Sequence, residues 1–191
     1  MTMNYTAMAE AMDYLFIMGY DGEFWDNVQC INPNSEPECS NACAPMQSLI
    51  YGVESYIKLG VDPKKLYLGL PWYGIKYEFV KKIPFQTGQI DISEIQALQR
   101  KHLNVNITID TKSMTKILDC GGLCEYDSIK NKEWYSQIWY DDEETLAPKY
   151  KLAKDYGLKG VGMWQASSLV YTDGLPADIM QGKKIWDSMC Q

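Results

Sequence analysis

The chain has 191 residues, 46% of them hydrophobic and 23% charged, with a formal net charge of −7. That length suffices for one domain with a real core, and the composition is ordinary for a globular protein. The acidic balance lacks the basic footprint that nucleic acid or an anionic membrane surface demands, and leaves a neutral or cationic ligand as the fitting partner.

In chain order, residues 6–13 predict a short Ala- and Met-rich helix. Leu15-Phe16-Ile17-Met18 is a continuous apolar run closed by Gly19-Tyr20-Asp21, which predicts a strand buried on both faces. Residues 22–44 carry the Asn, Pro, Ser and Cys content of a loop. Over 46–59, Met46, Leu49, Ile50, Val53 and Ile57 recur at helical spacing, and Gly60 stops the helix. Leu66-Tyr67-Leu68-Gly69-Leu70 is a second apolar strand, ending in Pro71-Trp72-Tyr73-Gly74. Residues 75–138 read as irregular and mixed, with a helix over 92–101 and a turn at Cys120-Gly121-Gly122. A helix over 144–156 follows, with Pro148 near its first turn. Gly160-Val161-Gly162-Met163-Trp164 is a third strand, and a last helix covers 178–189.

Apolar strands alternating with amphipathic helices imply α/β architecture with parallel strands and helical crossovers. A (β/α)₈ barrel and an open doubly wound sheet both fit. No glycine-rich phosphate loop follows a strand, which counts against nucleotide binding. Each strand ends instead in aromatic and polar residues: Tyr20-Asp21, Trp72-Tyr73 and Trp164-Gln165. In barrels, function gathers at such C-terminal strand ends.

The six cysteines favour disulfides in an oxidising compartment, with free buried thiols as the next reading and a zinc site last, because there is no C-x-x-C pair and the single histidine is His102. No metal or cofactor is expected. Asn4-Tyr5-Thr6 and Asn106-Ile107-Thr108 are glycosylation sequons, making Asn4 and Asn106 candidate acceptors. The first residues show no basic, then apolar, leader pattern, so either the protein is cytosolic or its natural N-terminus is expected to lie upstream of this chain.

The strand endings carry a resemblance. The segment from Asp13 to Asp21, with its Met-x-Tyr-Asp ending, resembles the sixth barrel strand of family 18 glycoside hydrolases. The segment from Pro63 to Gly74 looks like the seventh, and Gly160–Trp164 like the eighth, which carries the substrate-floor tryptophan. Gln137-Ile138-Trp139-Tyr140-Asp141 is similar to a segment of the di-N-acetylchitobiases within that family. The resemblance covers about residues 4–187 and is poorest over 86–126. It implies a partial (β/α)₈ TIM barrel, strands six to eight, with an inserted region between strands seven and eight. The 191 residues would form the C-terminal portion of the catalytic domain, with 75–138 as the insertion.

The resemblance also implies chemistry. The family's signature, Asp-x-x-Asp-x-Asp-x-Glu, ends the fourth strand, and no Asp-x-Asp-x-Glu occurs in these 191 residues. The chain is therefore expected to start after the fifth strand, to lack the catalytic acid and to be inactive alone. In the family's substrate-assisted route the substrate's N-acetyl group acts as the nucleophile. Tyr20 would bond the acetamide oxygen, Asp21 would contact sugar hydroxyls or support the acetamide, and Trp164 would stack under the sugar. Met18 would line the pocket floor. Trp72, Tyr73, Tyr140 and Asp141 are candidates to line the cleft, with aromatic packing and helix capping as their alternatives. The acidic run Asp141-Asp142-Glu143-Glu144 reads as a helix N-terminus. The partners implied are N-acetylglucosamine oligosaccharides, in a lysosomal or extracellular setting. A catalytically dead sugar-binding protein is the alternative.

Overall fold

The computed structural model describes residues 3–21, 41–80, 83–102, 105–121 and 134–190. Helix α1 (Tyr5–Ala11) is capped by Asn4, whose side chain accepts the Ala7 N–H at 3.1 Å. It leads into strand β1 (Leu15–Met18). Helix α2 (Met46–Lys58) buries Leu49 and Val53, and strand β2 (Leu66–Pro71) follows. Helix α4 (Glu143–Asp155), strand β8 (Gly160–Trp164) and helix α5 (Pro176–Ser188) close the chain.

Strands β1, β2 and β8 form one parallel sheet in the order β1-β2-β8. Leu15 pairs with Leu66 and Met18 with Gly69, while Tyr67 pairs with Gly160 and Pro71 with Trp164. Side chains alternate across a strand, so this register sorts the residues by face. Leu66, Leu68 and Leu70 are buried in one core with Ile17 of β1, Val53 of α2, Leu146 of α4 and Ile185 of α5. On the other face Phe16, Met18 and Trp164 stay 46%, 70% and 52% exposed. A parallel sheet is normally covered on both sides, so this apolar face is uncommonly open. The Phe16 ring lies across Gly69 and Gly162. A Cβ would stand 2.1 Å from that ring at Gly69 and 2.6 Å from it at Gly162, so both positions need glycine for this approach.

Between β2 and α4 the chain forms a second sheet. Strands β3 (Tyr73–Val80), β4 (Ile83–Asp91), β5 (Asn106–Asp110), β6 (Thr115–Gly121) and β7 (Trp134–Tyr140) are antiparallel, in the order β4-β3-β7-β6-β5. Helix α3 (Ile92–Lys101) lies between β4 and β5 and starts on a capping box of Asp91 and Glu94. The irregular stretch expected over 75–138 is thus mostly sheet, and its bounds are Tyr73 and Tyr140. The period-two signal is present in β3, where Tyr73, Ile75 and Tyr77 are all buried. Cys120 and Gly121 belong to β6 rather than to the expected turn, and Gly122 lies outside the described residues.

Polar contacts at three places tie this inserted region to the parallel frame. Lys149 Nζ of α4 reaches both oxygens of Asp141 at 2.7 Å and Thr115 Oγ1 of β6 at 3.0 Å. Ser168 Oγ, just beyond β8, accepts the Ile92 N–H at 2.8 Å. Arg100 of α3 pairs with Asp178 of α5, and Gln96 Nε2 donates to Gln181 Oε1 at 2.8 Å. No helix among the described residues is long and apolar enough to cross a membrane.

Candidate functional site

Two backbone bonds carry the parallel pairing past the strand ends. Gly19 N–H donates to Gly69 O at 2.9 Å and Trp72 N–H to Trp164 O at 2.7 Å. They bring Tyr20-Asp21, Trp72-Tyr73 and Trp164-Gln165 to one edge of the sheet. The Trp164–Gln165 peptide is cis, and Asp21 has a positive φ of 58°.

The sequence candidates divide by direction. Met18 and Trp164 stand on the open face. Tyr20 is half-buried and meets Tyr73 edge-on, with ring centroids 6.4 Å apart. Asp21 is exposed, and its Oδ1 accepts the Tyr73 hydroxyl at 2.6 Å. Tyr73 itself is buried, in a cluster with Cys43, Ile75 and Tyr77. Tyr77 donates to Asn41 O at 2.8 Å, which fixes the segment carrying Cys43 over this sheet.

The other three candidates turn inward. Trp72 is fully buried; its indole N–H donates to Tyr150 Oη of α4 at 2.8 Å and its ring meets Trp186 of α5 edge-on at 4.7 Å. Tyr140 is buried, and its hydroxyl accepts Gln99 Nε2 of α3 at 2.9 Å. Asp141 is sequestered with Lys149. In each case the polar atom is satisfied inside the protein, as burial requires, so each of the three has a packing partner in this chain. Asp142 is the N-cap of α4: its Oδ1 accepts the Glu144 N–H and its own N–H donates to Thr145 Oγ1, both at 3.1 Å.

Two members of the site were passed over in the sequence. Trp139, the register partner of Ile75, packs with Tyr20 against the Cys43–Tyr73 cluster. Strand parity is the signal that finds it, since Tyr140 beside it faces α3. The second is Cys43, which bonds Asp21. Cys43 and Cys190 are free thiols, so both stand outside the disulfide framework expected from the cysteine count. Cys30, Cys39 and Cys124 lie outside the described residues. Among the described residues no group of three or more His, Cys, Asp or Glu is placed to hold a metal ion.

The phenols and the thiol of the site hold their protons to higher pH than such groups ordinarily do. Burial, then the nearby Asp21 and Cys43, raises the Tyr20 phenol. Burial is also the largest cause for Tyr73, followed by Cys43 and the bond to Asp21. Burial pushes the Cys43 thiol from 9.0 up to about 12. A group whose folded pKa is raised adds stability fully below its unfolded pKa and loses it as pH climbs through the folded value. We therefore expect the fold to weaken between about pH 9 and about pH 12. Cys43→Ser should remove part of that alkaline loss in thermal unfolding followed against pH, and an unchanged alkaline limb would show that Cys43 is solvated.

A three-stranded parallel α/β sheet with tyrosine, carboxylate and tryptophan at its C-terminal edge defines the class: an α/β protein with a strand-end site. The family model for glycosyl hydrolases family 18 matches residues 1–168, and the chain belongs to that family. Di-N-acetylchitobiase of Mus musculus is 30% identical over 97% of this chain and 51% of its own length. The Homo sapiens protein is 29% identical over 96% and 48%. The chain thus spans about half the length of these relatives. Among solved structures, the C-terminal domain of a chitinase from Desulfitobacterium hafniense matches 97% of this chain and 48% of its own, with TM-score 0.69 and 19% identity. A chitinase from Cycas revoluta in complex with (GlcNAc)3 matches 95% and 48%, with TM-score 0.61 and 21% identity.

Proposed function

We propose that the chain is the substrate-binding C-terminal part of a chitobiase-like hydrolase that acts on N-acetylglucosamine oligosaccharides. The observation that carries this reading is the meeting of Tyr20, Asp21 and Trp164 at one edge of a parallel sheet. Trp164 offers an exposed indole face for a sugar ring. Asp21 offers a carboxylate, and Tyr20 a phenol that stays protonated. These are the groups that stacking, hydroxyl binding and acetamide binding require.

In this proposal the β1-β2-β8 sheet corresponds to strands six to eight of a (β/α)₈ barrel, with β3–β7 inserted between the seventh and eighth. The open apolar face of Phe16, Met18 and Trp164 supports this, as does the twofold length of the relatives. In such a barrel the acid would come from residues outside this chain. The N-acetyl oxygen would attack the anomeric carbon as the glycosidic C–O bond breaks and the leaving oxygen takes the acid's proton, and Tyr20 would hold the N-acetyl group in line. Asn4 and Asn106 are both exposed, as glycan acceptors in a lysosomal or extracellular protein would be.

The lectin alternative has support in a chitinase-like agglutinin of Robinia pseudoacacia, which shares the fold with TM-score 0.61 at 18% identity. Both readings expect chitotriose to bind and to change tryptophan fluorescence. Both expect no turnover of fluorogenic N-acetylglucosamine dimers by these residues alone. Turnover that survives repurification and disappears on mutating this chain would overturn the claim that the acid lies elsewhere. Hydrolysis gained when an N-terminal half with an Asp-x-x-Asp-x-Asp-x-Glu strand is joined to it would decide for the hydrolase.

A further inference from the structure

Cys43 lies in the segment that precedes α2, distant in sequence from the strand-end motifs, yet it meets two of them. Its Sγ accepts the Asp21 N–H at 3.4 Å. The same Sγ lies 3.3 Å from Asp21 Oδ1 and 3.4 Å from Tyr73 Oη, the two acceptors within reach of its one proton. Tyr73 donates to that same Oδ1 at 2.6 Å. Both described side-chain bonds to Asp21 therefore reach one oxygen from the buried side. Asp21 as a whole is exposed, and among the described residues none bonds Oδ2, the oxygen that faces outward for a ligand in this proposal.

Asp21 also carries a backbone conformation that non-glycine residues adopt rarely, with φ at 58°. Such a conformation persists only when its surroundings fix it. Among the described residues, the Asp21 N–H is fixed by Cys43, and the side chain by Cys43 and Tyr73 together. A sulfur lies well inside its hydrogen-bond range here, and the thiol is buried, so water does not compete for it.

We propose that Cys43 is a positioning residue for the carbohydrate site: its thiol holds the backbone and inner oxygen of Asp21 so that Oδ2 is presented to a hydroxyl or acetamide N–H of the sugar. This rests on the sugar-binding reading of the strand ends, and it adds a residue that touches no substrate itself. Packing alone does not account for the arrangement, because an apolar side chain of the same size would fill the space without the three sulfur contacts.

The test compares Cys43→Ser with Cys43→Val in the whole chain. Serine keeps a donor and an acceptor but is smaller; valine keeps the volume and has neither. Two readouts are taken: amide hydrogen exchange at Asp21 without ligand, and chitotriose affinity from tryptophan fluorescence. If Cys43 positions Asp21, the serine variant stays close to wild type in both. The valine variant then exchanges the Asp21 amide faster and binds at least about tenfold more weakly, the size of one hydrogen bond to a charged group. If valine matches wild type and serine is the weaker variant, Cys43 is a packing residue and the proposal fails. If wild type binds no chitotriose, the sugar reading fails. The order of the two variants in Asp21 exchange then still decides whether the thiol fixes that residue.

Discussion

Lys149→Ala is expected to lower the free energy of unfolding by about 3–5 kcal/mol, because it strands Asp141 as a buried charge without its partner. Lys149 is 0% and Asp141 2% exposed, and both carboxylate oxygens take the ammonium at 2.7 Å. Thr115 supplies the further acceptor at 3.0 Å. The three residues come from α4, the end of β7 and the start of β6, so the pair joins the inserted sheet to the frame. Replacing both charges by apolar residues, as in Lys149→Met with Asp141→Leu, should recover most of the loss, since an apolar pair avoids desolvating two ions. Urea unfolding of Lys149→Ala and of the double variant measures this directly. A loss below about 1 kcal/mol for Lys149→Ala, in the range of exposed ion pairs, would mean that water reaches the pair.

That pair also shows where the sequence stopped being legible. An Asp-Asp-Glu-Glu run at a helix start has a local meaning, dipole and capping, and Asp142 fulfils it. Asp141 looks the same in the sequence. Its partner, Lys149, lies two turns along the same helix, and nothing local marks that lysine as buried. The parallel strands were legible because they are continuous apolar runs that end in aromatic and polar residues. The inserted strands were less so, because each has one buried face and because α3 and several loops separate them. Tyr73, Ile75 and Tyr77 carry the alternation, but Gly74 and Lys76 between them read as loop.

Parity explains the division of the site. Trp72 and Tyr73 are adjacent, so they point to opposite sides: Trp72 to Tyr150 and Trp186, Tyr73 to Asp21. Trp139 and Tyr140 divide in the same way, one toward Tyr20 and the other toward Gln99. A motif that names both residues of such a pair cannot say which one faces the ligand. The register of the neighbouring strand does: Trp139 pairs with Ile75, inside the cluster that holds Tyr73, whereas Tyr140 pairs with Gly74, whose missing side chain makes room for Ile95 of α3. Cys43 had no sequence signal beyond its place in a cysteine-bearing loop.

In a complete barrel that includes these residues, Tyr20→Phe is expected to lower kcat by about a hundred- to thousandfold, or roughly 2.7–4 kcal/mol, while changing KM much less. Tyr20 is held from one side by the Tyr73 ring, and no described residue bonds its hydroxyl. Burial and the charge of Asp21 raise the pKa of that hydroxyl, so it remains a donor at neutral and acidic pH. A donor to the acetamide oxygen gains strength as the oxygen attacks and charge develops on the acetamide, so its loss falls on the transition state more than on the bound substrate. Trp164→Ala should behave differently. Its indole face is already open and would stack on the sugar in the ground state, so KM should rise together with the fall in kcat. Asp21→Asn should fall between the two, since the amide keeps an acceptor for Tyr73 but loses the charge. Steady-state kinetics of the three variants on a chitobiose substrate separates these expectations. If Tyr20→Phe leaves kcat unchanged and Trp164→Ala alters neither constant, the edge where β1, β2 and β8 end does not face the substrate.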